Sequence, residues 1–476
     1  MKSIVWLRKD LRLADNPALD HAASKGAVLP VYILDESAEA RAIGGASRWW
    51  LHHSLAALAK SLGGLVILRG NPRDLLPALA REAKAQGVYW NRCYEPYAIA
   101  RDTQIRRRLT RDGFDVASFN GGLLFEPWTV QTKDGGPYKV YSPYWRACLQ
   151  LPLGAPQPAP PVEVTDTNGL GVALEELDLL PVQPNWAKGF AREWTPGEDG
   201  ARNRLEAFLD DALNGYAELR NRPDLPHTSR LSPHLHFGEI SPRQIWAAAM
   251  ARAEADGALR KDTEKFLAEL GWREFSYHLL YHFPELPERN WRRAFDAYPW
   301  TTDTKHLAAW QRGRTGYPIV DAGMRELWAT GYMHNRVRMI VASFLIKHLR
   351  IDWRRGEAWF WDTLVDADVA NNAASWQWVA GSGADAAPYF RIFNPMQQGR
   401  KFDPDGAYVR RWCPELARLP DAHLHAPFEA SQDALREAGV ALGVDYPKPI
   451  VDHTEARKAA LAGYDKVKAA PAEADA

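Results

Sequence analysis

Cysteine is scarce in this chain, since only Cys93, Cys148 and Cys413 occur among 476 residues. Such scattered thiols exclude a disulfide framework and a four-cysteine zinc or iron–sulfur site. Long apolar runs are also absent, so no membrane-spanning helix is expected. The N-terminus carries charges inside its short apolar stretch and has no small-residue cleavage site, which predicts a first strand instead of a signal peptide. These absences indicate a cytoplasmic protein with no membrane partner.

The chain has no net charge, because 59 basic residues balance 59 acidic ones. Affinity for phosphate comes from clustered Lys and Arg, so a protein that coats nucleic acid indiscriminately is excluded, whereas a local basic patch is not. No G-x-G-x-x-G motif follows the first apolar run, which leaves the usual dinucleotide site unsupported. The glycine pairs at 44–45 and 63–64 are typical of turns.

The chain does contain 20 tryptophans, and its length exceeds what one hydrophobic core needs, which predicts two domains. Residues 1–130 alternate strand-length apolar runs with helical stretches such as 49–62 and 72–86. The four apolar runs are 4–7, 28–34, 65–69 and 88–90. This alternation predicts an α/β N-terminal domain that has a parallel sheet with helices on both faces.

Residues 131–200 predict an interdomain linker, because the prolines of LPLGAPQPAPP (151–161) prevent helix and ladder hydrogen bonds alike. Long helical patterns then replace the strands, which predicts an all-helical C-terminal domain over 201–454. These patterns cover 202–213, 242–253, 263–281, 320–330, 335–349 and 357–364. Residues 455–476 are rich in Ala, Lys and Glu and predict a surface helix that ends in a disordered tail.

The segment VDADVANNAASWQW (365–378) combines a pair of carboxylates, a pair of asparagines and a Trp-x-Trp. Carboxylates at this spacing are usually part of a solvated turn, but such a turn rarely carries the tryptophans as well. Helix positions two apart differ by roughly 200° of rotation, so Trp376 and Trp378 are expected to face opposite ways. Core packing explains an inward-facing Trp and leaves the outward-facing one to another role.

Together with several other motifs, this segment resembles the photolyase/cryptochrome family. The other motifs are WLRKDLRLADNPAL (6–19), TSRLSPHLHFGEISPR (228–243), WREF (272–275), GYPIVDAGMRELWATGYMHNRVRM (316–339) and PYFRIFNPMQQGRKF (388–402). The resemblance runs from residue 4 to about residue 416. It implies that the helical domain holds FAD in a folded form and that the N-terminal domain carries an antenna chromophore.

One set of residues matches the FAD site of that family. The set is Tyr216, Thr228, Ser229, Arg230, Leu231, Ser232, Arg338, Asp366, Asp368 and Asn372. Hydroxyls, backbone amides and an arginine are the donors that a pyrophosphate requires. The resemblance places the acidic pair beside the flavin and Arg338. Taken alone, the run at 228–232 is also typical of a helix N-cap with a chance arginine.

Asn372 matches the position that faces flavin N5. A neutral amide stabilises reduced, anionic flavin and delivers no proton, as in photolyases, whereas plant-type cryptochromes carry Asp there. Trp376, Trp353 and Trp300 match the tryptophan chain that passes a hole from excited flavin to the surface. For each tryptophan by itself, a buried core position is the alternative.

The resemblance also implies a pocket for a pyrimidine dimer that is flipped out of UV-damaged DNA. Trp272 and Trp378 would clamp the dimer, and Glu269 and Asn335 would read its polar edges. Asn335 and Met339 stand where (6-4) photolyases carry histidines, which favours a cyclobutane dimer. Contacts to phosphates are assigned to Arg220, Arg336, Arg391, Gln398, Arg400 and Lys401, for which a solvated helix face is the alternative.

The implied function is light-driven repair, in which excited reduced FAD (FADH⁻) donates an electron to the cyclobutane dimer and the electron returns after the ring opens. A cryptochrome-type blue-light receptor and a (6-4) photolyase are the alternatives within the family. A flavin oxidoreductase with a diffusible reductant is the alternative outside it, and would require a nicotinamide site. A monomer is expected, because excision of one dimer needs one pocket.

The resemblance does not by itself identify the antenna chromophore. In EPYAIARD (95–102), Ala98 stands where the common folate-binding pattern has a carboxylate. Trp49, Trp50 and the segment PYKVYSPYWRAC (137–148) resemble a bacterial subgroup related to plant cryptochromes, which holds 5,10-methenyltetrahydrofolate differently. This folate is favoured over 8-hydroxy-5-deazaflavin. His234 and His236 have no third ligand nearby in sequence, which predicts a helix-packing pair and no metal.

Overall fold

The computed structural model has one parallel sheet of five strands, in the order β3, β2, β1, β4, β5. The strands are β1 (Lys2–Leu7), β2 (Ala27–Asp35), β3 (Val66–Gly70), β4 (Gly87–Asn91) and β5 (Asp115–Phe119), and they are joined by α1 (Pro17–Lys25), α2 (Gly45–Leu62), α3 (Pro72–Glu82) and α4 (Pro96–Arg111). Because such crossovers are right-handed, this order places α1 and α2 on one face and α3 and α4 on the other. The predicted α/β domain is confirmed.

The sheet is buried on both faces. Ile4 and Trp6 of β1 are fully buried in a core that includes Leu76 of α3 and Leu109 of α4. Strand β5 is absent from the sequence prediction because its sequence, DVASF, lacks the apolar run that marks the other strands, and none of its residues is fully buried. It lies at one edge of the sheet, where such a run is not required.

Helices make up most of the remaining chain. They are α5 (Tyr141–Cys148), α6 (Phe190–Glu193), α7 (Glu198–Asp211), α8 (Tyr216–Leu219), α9 (Ser232–Phe237), α10 (Pro242–Ala255), α11 (Arg260–His282), α12 (Thr304–Gln311), α13 (Pro318–Thr330), α14 (Asn335–Ser343), α15 (Trp353–Thr363), α16 (Val369–Ala380), α17 (Pro395–Phe402), α18 (Ala407–Trp412), α19 (Asp421–Leu424), α20 (Gln432–Ala438) and α21 (His453–Ala469). The predicted helical C-terminal region is confirmed. One predicted helix, 335–349, is interrupted where a π-helical turn (Phe344–His348) follows α14.

Short 3₁₀ turns connect several of these helices. They lie at Pro127–Thr129, Leu174–Leu177, Gly257–Leu259, Arg293–Ala297, Pro414–Leu416 and Pro427–Glu429. The structure describes residues 1–386 and 390–470. Residues 388 and 389 of the predicted motif at 388–402, and residues 471–476 of the predicted tail, therefore lie outside the described residues.

Contacts between residues group the chain into two units. Unit 1 comprises Met1–Asn214, Ser229–Pro284 and Val365–Ala370. Unit 2 comprises Gly215–Thr228, Glu285–Leu364 and Asn371–Ala476. The predicted linker lies entirely within unit 1, and the backbone N–H of Thr165 donates to the Val28 carbonyl of β2 at 2.9 Å. The boundaries proposed from the sequence stay a prediction.

Cys93, Cys148 and Cys413 are free thiols. Over the described ranges, no helix combines the length and the apolar character needed to cross a membrane. The same part of the chain holds no cluster of three or more His, Cys, Asp or Glu side chains suited to a metal ion. His234 is hydrogen bonded to Glu239 within unit 1.

Candidate functional site

Asp368 lies in a buried charged network of unit 1. Its carboxylate accepts a hydrogen bond from the Tyr277 hydroxyl and lies 3.8 Å from Nδ1 of His236. Lys9, which is paired with Glu95, adds a positive charge. Burial by itself would raise the pKa of Asp368, but His236, Lys9 and Tyr277 hold that pKa well below its usual range. Asp368 is therefore a buried anion that can accept further hydrogen bonds.

The other carboxylate of the predicted acidic pair, Asp366, also lies in unit 1. Its Oδ2 accepts a hydrogen bond from the Ser232 hydroxyl at 2.6 Å. Arg230 has a φ of 51°, a left-handed conformation that is uncommon for a residue with a side chain. Its guanidinium lies 3.3 Å from Glu193 and stacks over the Trp194 ring at 4.4 Å. The structure thus joins Ser232 to Asp366 and directs Arg230 toward Glu193 and Trp194.

Four further residues of the predicted flavin set are divided between the units. Leu231 of unit 1 is buried, and Ser229 beside it is half-buried. Tyr216 of unit 2 is buried at the start of α8, and Thr228 at the end of the same stretch is half-buried. Ser229 and Thr228 are therefore the more exposed of these four residues.

Glu269 and Trp272 lie one turn apart on α11 of unit 1, which places them on the same helix face. The Trp272 ring is stacked on Tyr141 of α5, with ring centroids 3.7 Å apart and planes at 9°. The Tyr141 hydroxyl donates to the Ala268 carbonyl at 2.6 Å, which fixes the phenol ring. Glu269 lies 3.3 Å from Lys265, one turn earlier on the helix. One face of the Trp272 indole is therefore covered.

Tyr141 is a residue of this region that the sequence prediction did not assign to the lesion pocket. It lies in the segment 137–148, which had been assigned to the antenna. No local pattern joins Tyr141 to Trp272, because the two residues are more than a hundred positions apart in the chain. The two rings stack because the fold packs α5 against α11.

Asn372 lies in the first turns of α16, inside unit 2. Its side-chain N–H groups donate to the Glu357 backbone carbonyl at 3.1 Å and to Glu357 Oε1 at 2.8 Å. Among the described residues, none donates to its own carbonyl oxygen. The amide is therefore held in one orientation, with an acceptor left for a ligand. Glu357 is a site residue that the sequence prediction missed, because it lies on a different helix, α15.

The three predicted photoreduction tryptophans lie in unit 2. Trp376 is buried, with its ring 5.0 Å from Phe360 and 6.3 Å from Trp310. Trp353 is fully buried, and its indole N–H donates to Asn290 at 2.9 Å. Trp300 is half-buried against Tyr298, at a ring distance of 4.4 Å. Burial falls from Trp376 and Trp353 to Trp300.

Three of the six predicted phosphate contacts, Arg220, Arg336 and Lys401, form one cluster near the ring of Phe402. The Arg336 guanidinium lies 4.5 Å above that ring, and the Lys401 ammonium lies 5.3 Å from its centre. Arg336 also donates to Asn221 at 2.8 Å, and Asn221 is the chain neighbour of Arg220. The cluster therefore combines three cations on one part of unit 2.

Gln398 lies on α17 with Arg400 and Lys401, and it is half-buried. Arg400 is exposed and lies 3.3 Å from Glu429. Arg391 is exposed as well. Among the described residues, Arg391 has no ion-pair partner, whereas Arg400 does. The two arginines therefore differ in how freely they can contact a phosphate.

The remaining candidates of unit 2 are on α14 and α16. Asn335 is exposed at the start of α14, and Met339 lies one turn later on the same face. Arg338 donates to the Met333 carbonyl at 2.7 Å. Trp378 is half-buried on α16, and its indole N–H donates to the Asp385 carbonyl at 3.1 Å. Trp376 and Trp378 thus differ in burial, as expected for positions two apart on a helix.

The residues considered for the antenna are buried in unit 1. Trp50 is fully buried and donates its indole N–H to Glu239 at 2.9 Å. Trp49 packs 4.6 Å from the His53 ring. Ala98 is buried on α4. These positions have a packing role whatever else they contact.

Comparisons with known proteins agree with the resemblance of the motifs. The family model "DNA photolyase" matches residues 3–162, and the model "FAD binding domain of DNA photolyase" matches residues 266–466. The chain is 56% identical over 473 residues to deoxyribodipyrimidine photo-lyase of Agrobacterium fabrum, with 98% of each chain covered. It is 39% identical over 474 residues to cryptochrome-2 of Arabidopsis thaliana, with 96% of this chain and 78% of the relative covered.

A solved structure of a bacterial class III photolyase from Agrobacterium tumefaciens has a TM-score of 0.95 and 54% identity to this chain, with 98% of both chains covered. The agreement extends over both matched family models and across both units. The chain therefore belongs to the photolyase/cryptochrome family.

Proposed function

We propose that this protein is a light-driven deoxyribodipyrimidine photo-lyase that repairs cyclobutane pyrimidine dimers in DNA with reduced FAD. The observation that carries the proposal is the fixed amide of Asn372. Both of its N–H donors are used by Glu357, so that its carbonyl oxygen is the group left for the flavin. Reduced flavin has an N–H at N5, and an acceptor that holds no proton suits that state.

The donors and acceptors of the site fit FAD. Asp368 is a buried anion and Asn372 offers a carbonyl oxygen, and both can accept from N–H groups of the flavin ring. The other binding residues in the proposal are Tyr216, Thr228, Ser229, Arg230, Leu231, Ser232, Arg338 and Asp366. FAD, when bound, supplies the light-absorbing centre and the electron for ring opening. The chain's own residues would hold it and orient it, and the Asn372 carbonyl oxygen would accept the hydrogen bond from the N–H at N5.

Recognition of the lesion belongs to the same proposal. A dimer has lost part of its stacking and pairing, so it costs less to flip out than a normal base. The open face of Trp272 and the ring of Trp378 can stack on it, and Glu269, Asn335 and Met339 can read its edges. Arg220, Arg336, Arg391, Gln398, Arg400 and Lys401 would contact the phosphates.

Photoreduction of the cofactor is proposed to use Trp376, Trp353 and Trp300. Indole is the most readily oxidised of the large apolar side chains, and the burial of the first two rings protects a transient cation from water. Half-buried Trp300 is the member that can exchange an electron with an external reductant.

The antenna is proposed to be 5,10-methenyltetrahydrofolate, with 8-hydroxy-5-deazaflavin as the alternative. Support comes from Trp49, Trp50 and the segment 137–148, while Ala98, which replaces the carboxylate of the common folate pattern, argues that the folate would be held differently. Mass spectrometry of the chromophores released from the purified protein distinguishes the two.

The proposal also includes a cytoplasmic location and a monomeric state. Three free thiols agree with a reducing compartment such as the cytoplasm.

The test of the function is repair of an oligonucleotide with a single cyclobutane thymine dimer. Purified, reduced protein is illuminated with blue light, with a dark sample as the control. Recovery of intact thymines only in the light supports the proposal. Binding of FAD without repair of this substrate contradicts it, and repair of a (6-4) lesion instead would identify the other photolyase class. Sustained dark turnover with NAD(P)H would favour an oxidoreductase.

A further inference from the structure

Lys347 is a buried cation on the π-helical turn of unit 2. Its exposed fraction is 1%. The ammonium lies 3.6 Å from the centre of the Phe390 ring and donates to the Arg391 carbonyl at 3.3 Å. No carboxylate of the described residues lies within ion-pair distance of it. A buried ammonium without a counter-ion lowers the stability of the folded protein, which indicates that Lys347 has a role other than stabilisation.

The surroundings of Lys347 include two residues that the proposed function assigns to DNA. A pocket of about 20 Å³, enough for one water molecule, is lined by Ser343, Lys347, Trp378, Val379, Gly381, Arg391 and Phe393. Arg391 is exposed, and its guanidinium stacks 5.0 Å from the Phe393 ring. The lysine therefore touches the backbone of the same residue whose side chain is free to contact a phosphate.

We infer that Lys347 is a positioning residue for DNA binding, whose ammonium fixes the segment 390–393 and thereby aims the Arg391 guanidinium at a phosphate beside the lesion. The inference rests on the proposed function. The ammonium holds the segment at two points, the ring of Phe390 and the carbonyl of Arg391. Because no carboxylate neutralises it, its charge also adds to the positive potential around Arg391.

The protonation of Lys347 gives this role a measurable signature. Burial lowers the pKa of Lys347 to about 7. The charged or titratable groups around it and around the Phe390 ring are Arg391, His348, His453, Tyr298 and Tyr464. Burial lowers the pKa of His348 to about 3, lowers that of His453, and raises that of Tyr298. Lys347 therefore loses its proton as the pH rises through about 7, while His348 stays neutral.

The experiment measures the affinity of FAD-loaded protein for a thymine-dimer oligonucleotide in the dark, from about pH 6 to about pH 8.5. Wild-type affinity is expected to fall as the pH rises through about 7. Lys347→Met should bind roughly tenfold more weakly at the low end of this range and show no such fall. Lys347→Arg should keep the low-pH affinity across the range, because a guanidinium stays protonated.

Lys458→Met is the matched control, since Lys458 is an exposed lysine of the same unit and pairs only with Glu455. It should behave as the wild type. If Lys347→Met fails to fold or to retain FAD, Lys347→Arg provides the test. A fall in its affinity with pH equal to that of the wild type overturns the inference, and an affinity that does not change with pH supports it. A wild type that binds and repairs, with both Lys347 variants unchanged, overturns this inference and leaves the proposed function intact. A wild type that does not bind damaged DNA overturns the proposed function instead.

Discussion

At the scale of single residues, the amide of Asn372 combines two fixed donors with one available acceptor. Glu357 uses both donors, and its own carboxylate oxygen lies 2.8 Å from the Asn372 nitrogen. An amide at this position can sit beside a carboxylate at no electrostatic cost, whereas a second carboxylate cannot. In the proposed function, the identity of residue 372 therefore decides whether a proton is held next to the flavin.

Asn372→Asp is expected to reduce light-driven repair by roughly tenfold, equivalent to ~1.4 kcal/mol of activation free energy. The new carboxylate would face that of Glu357, and two carboxylates at this distance cannot both ionise, which raises the pKa of one of them. The retained proton would disfavour the anionic reduced flavin. Absorption spectra under illumination should show a smaller fully reduced fraction. Ser375→Asp, on the exposed side of the same helix, is the control and should leave that fraction unchanged.

The sequence predicts Asn372 as a site residue, and this assignment stays a prediction; the sequence does not predict the contact of Asn372 with Glu357. Asn372 lies in the segment VDADVANNAASWQW, in which paired carboxylates, paired asparagines and two tryptophans follow one another. Glu357 is an ordinary glutamate on α15 until the fold brings that helix against α16. Charge and hydrogen-bond partners that are distant in the chain leave no periodic pattern, so no reading of a single segment could find them.

At the scale of elements, the contact between α15 and α16 depends on one glycine. A Cβ on Gly356 would lie 2.1 Å from the Trp376 ring and 2.6 Å from Leu345. Neither neighbour has free space on its far side, since both are fully or almost fully buried. The glycine is therefore required by packing, although a glycine within a helix costs stability relative to alanine.

Gly356→Ala is expected to destabilise the protein by ~1–3 kcal/mol and to slow photoreduction of the flavin. Overpacking of a full core has this cost, and the displaced ring is Trp376, a member of the proposed electron-transfer chain. Chemical denaturation and the rate of light-induced flavin reduction measure the two effects. Ala358→Gly, at an exposed position of α15, should cost ~1 kcal/mol through helix propensity. An equal slowing of photoreduction in this control would contradict the packing argument.

Apolar patterns in the sequence predict helices of the C-terminal region, but they do not predict where a helix becomes irregular. The pattern over 335–349 predicts one helix, but α14 ends at Ser343 and a π-helical turn follows. Its sequence, FLIKH, is compatible with either geometry. The π-helical turn carries Lys347 and His348, both fully or nearly buried, and their burial is decided by tertiary contacts that periodicity cannot report.

At the scale of the whole molecule, electrostatic attraction to DNA cannot come from net charge, which is zero. We propose that it comes from cations of unit 2 such as Arg336 and Lys401, which both lie beside the ring of Phe402. Lys401→Met should weaken binding to damaged and undamaged DNA alike and reduce the slope of log affinity against log salt by about 1. Lys458→Met should leave that slope unchanged. A loss limited to damaged DNA would contradict a phosphate contact at Lys401.

The grouping of residues by contacts depends on positions that are distant in the chain. Residues 229–284 group with the sheet in unit 1, and the domain boundaries proposed from the sequence stay a prediction. Buried polar contacts hold them there: Arg12 donates to the Gly238 carbonyl at 2.9 Å, and Glu274 accepts from the Leu124 backbone at 2.9 Å. The sequence pattern predicts that these residues are helical, but it does not predict which part of the chain the helices pack against.

The stack of Tyr141 on Trp272 leaves the indole with one open face. With a phenol ring fixed 3.7 Å from the other face, a flat ligand can stack on Trp272 from one side only. In the proposed function that ligand is a flipped pyrimidine dimer, and a dimer that can stack from one side only has fewer orientations in which it can bind. The contact with Tyr141 would therefore restrict the orientation of the dimer at the binding step, before any light is absorbed.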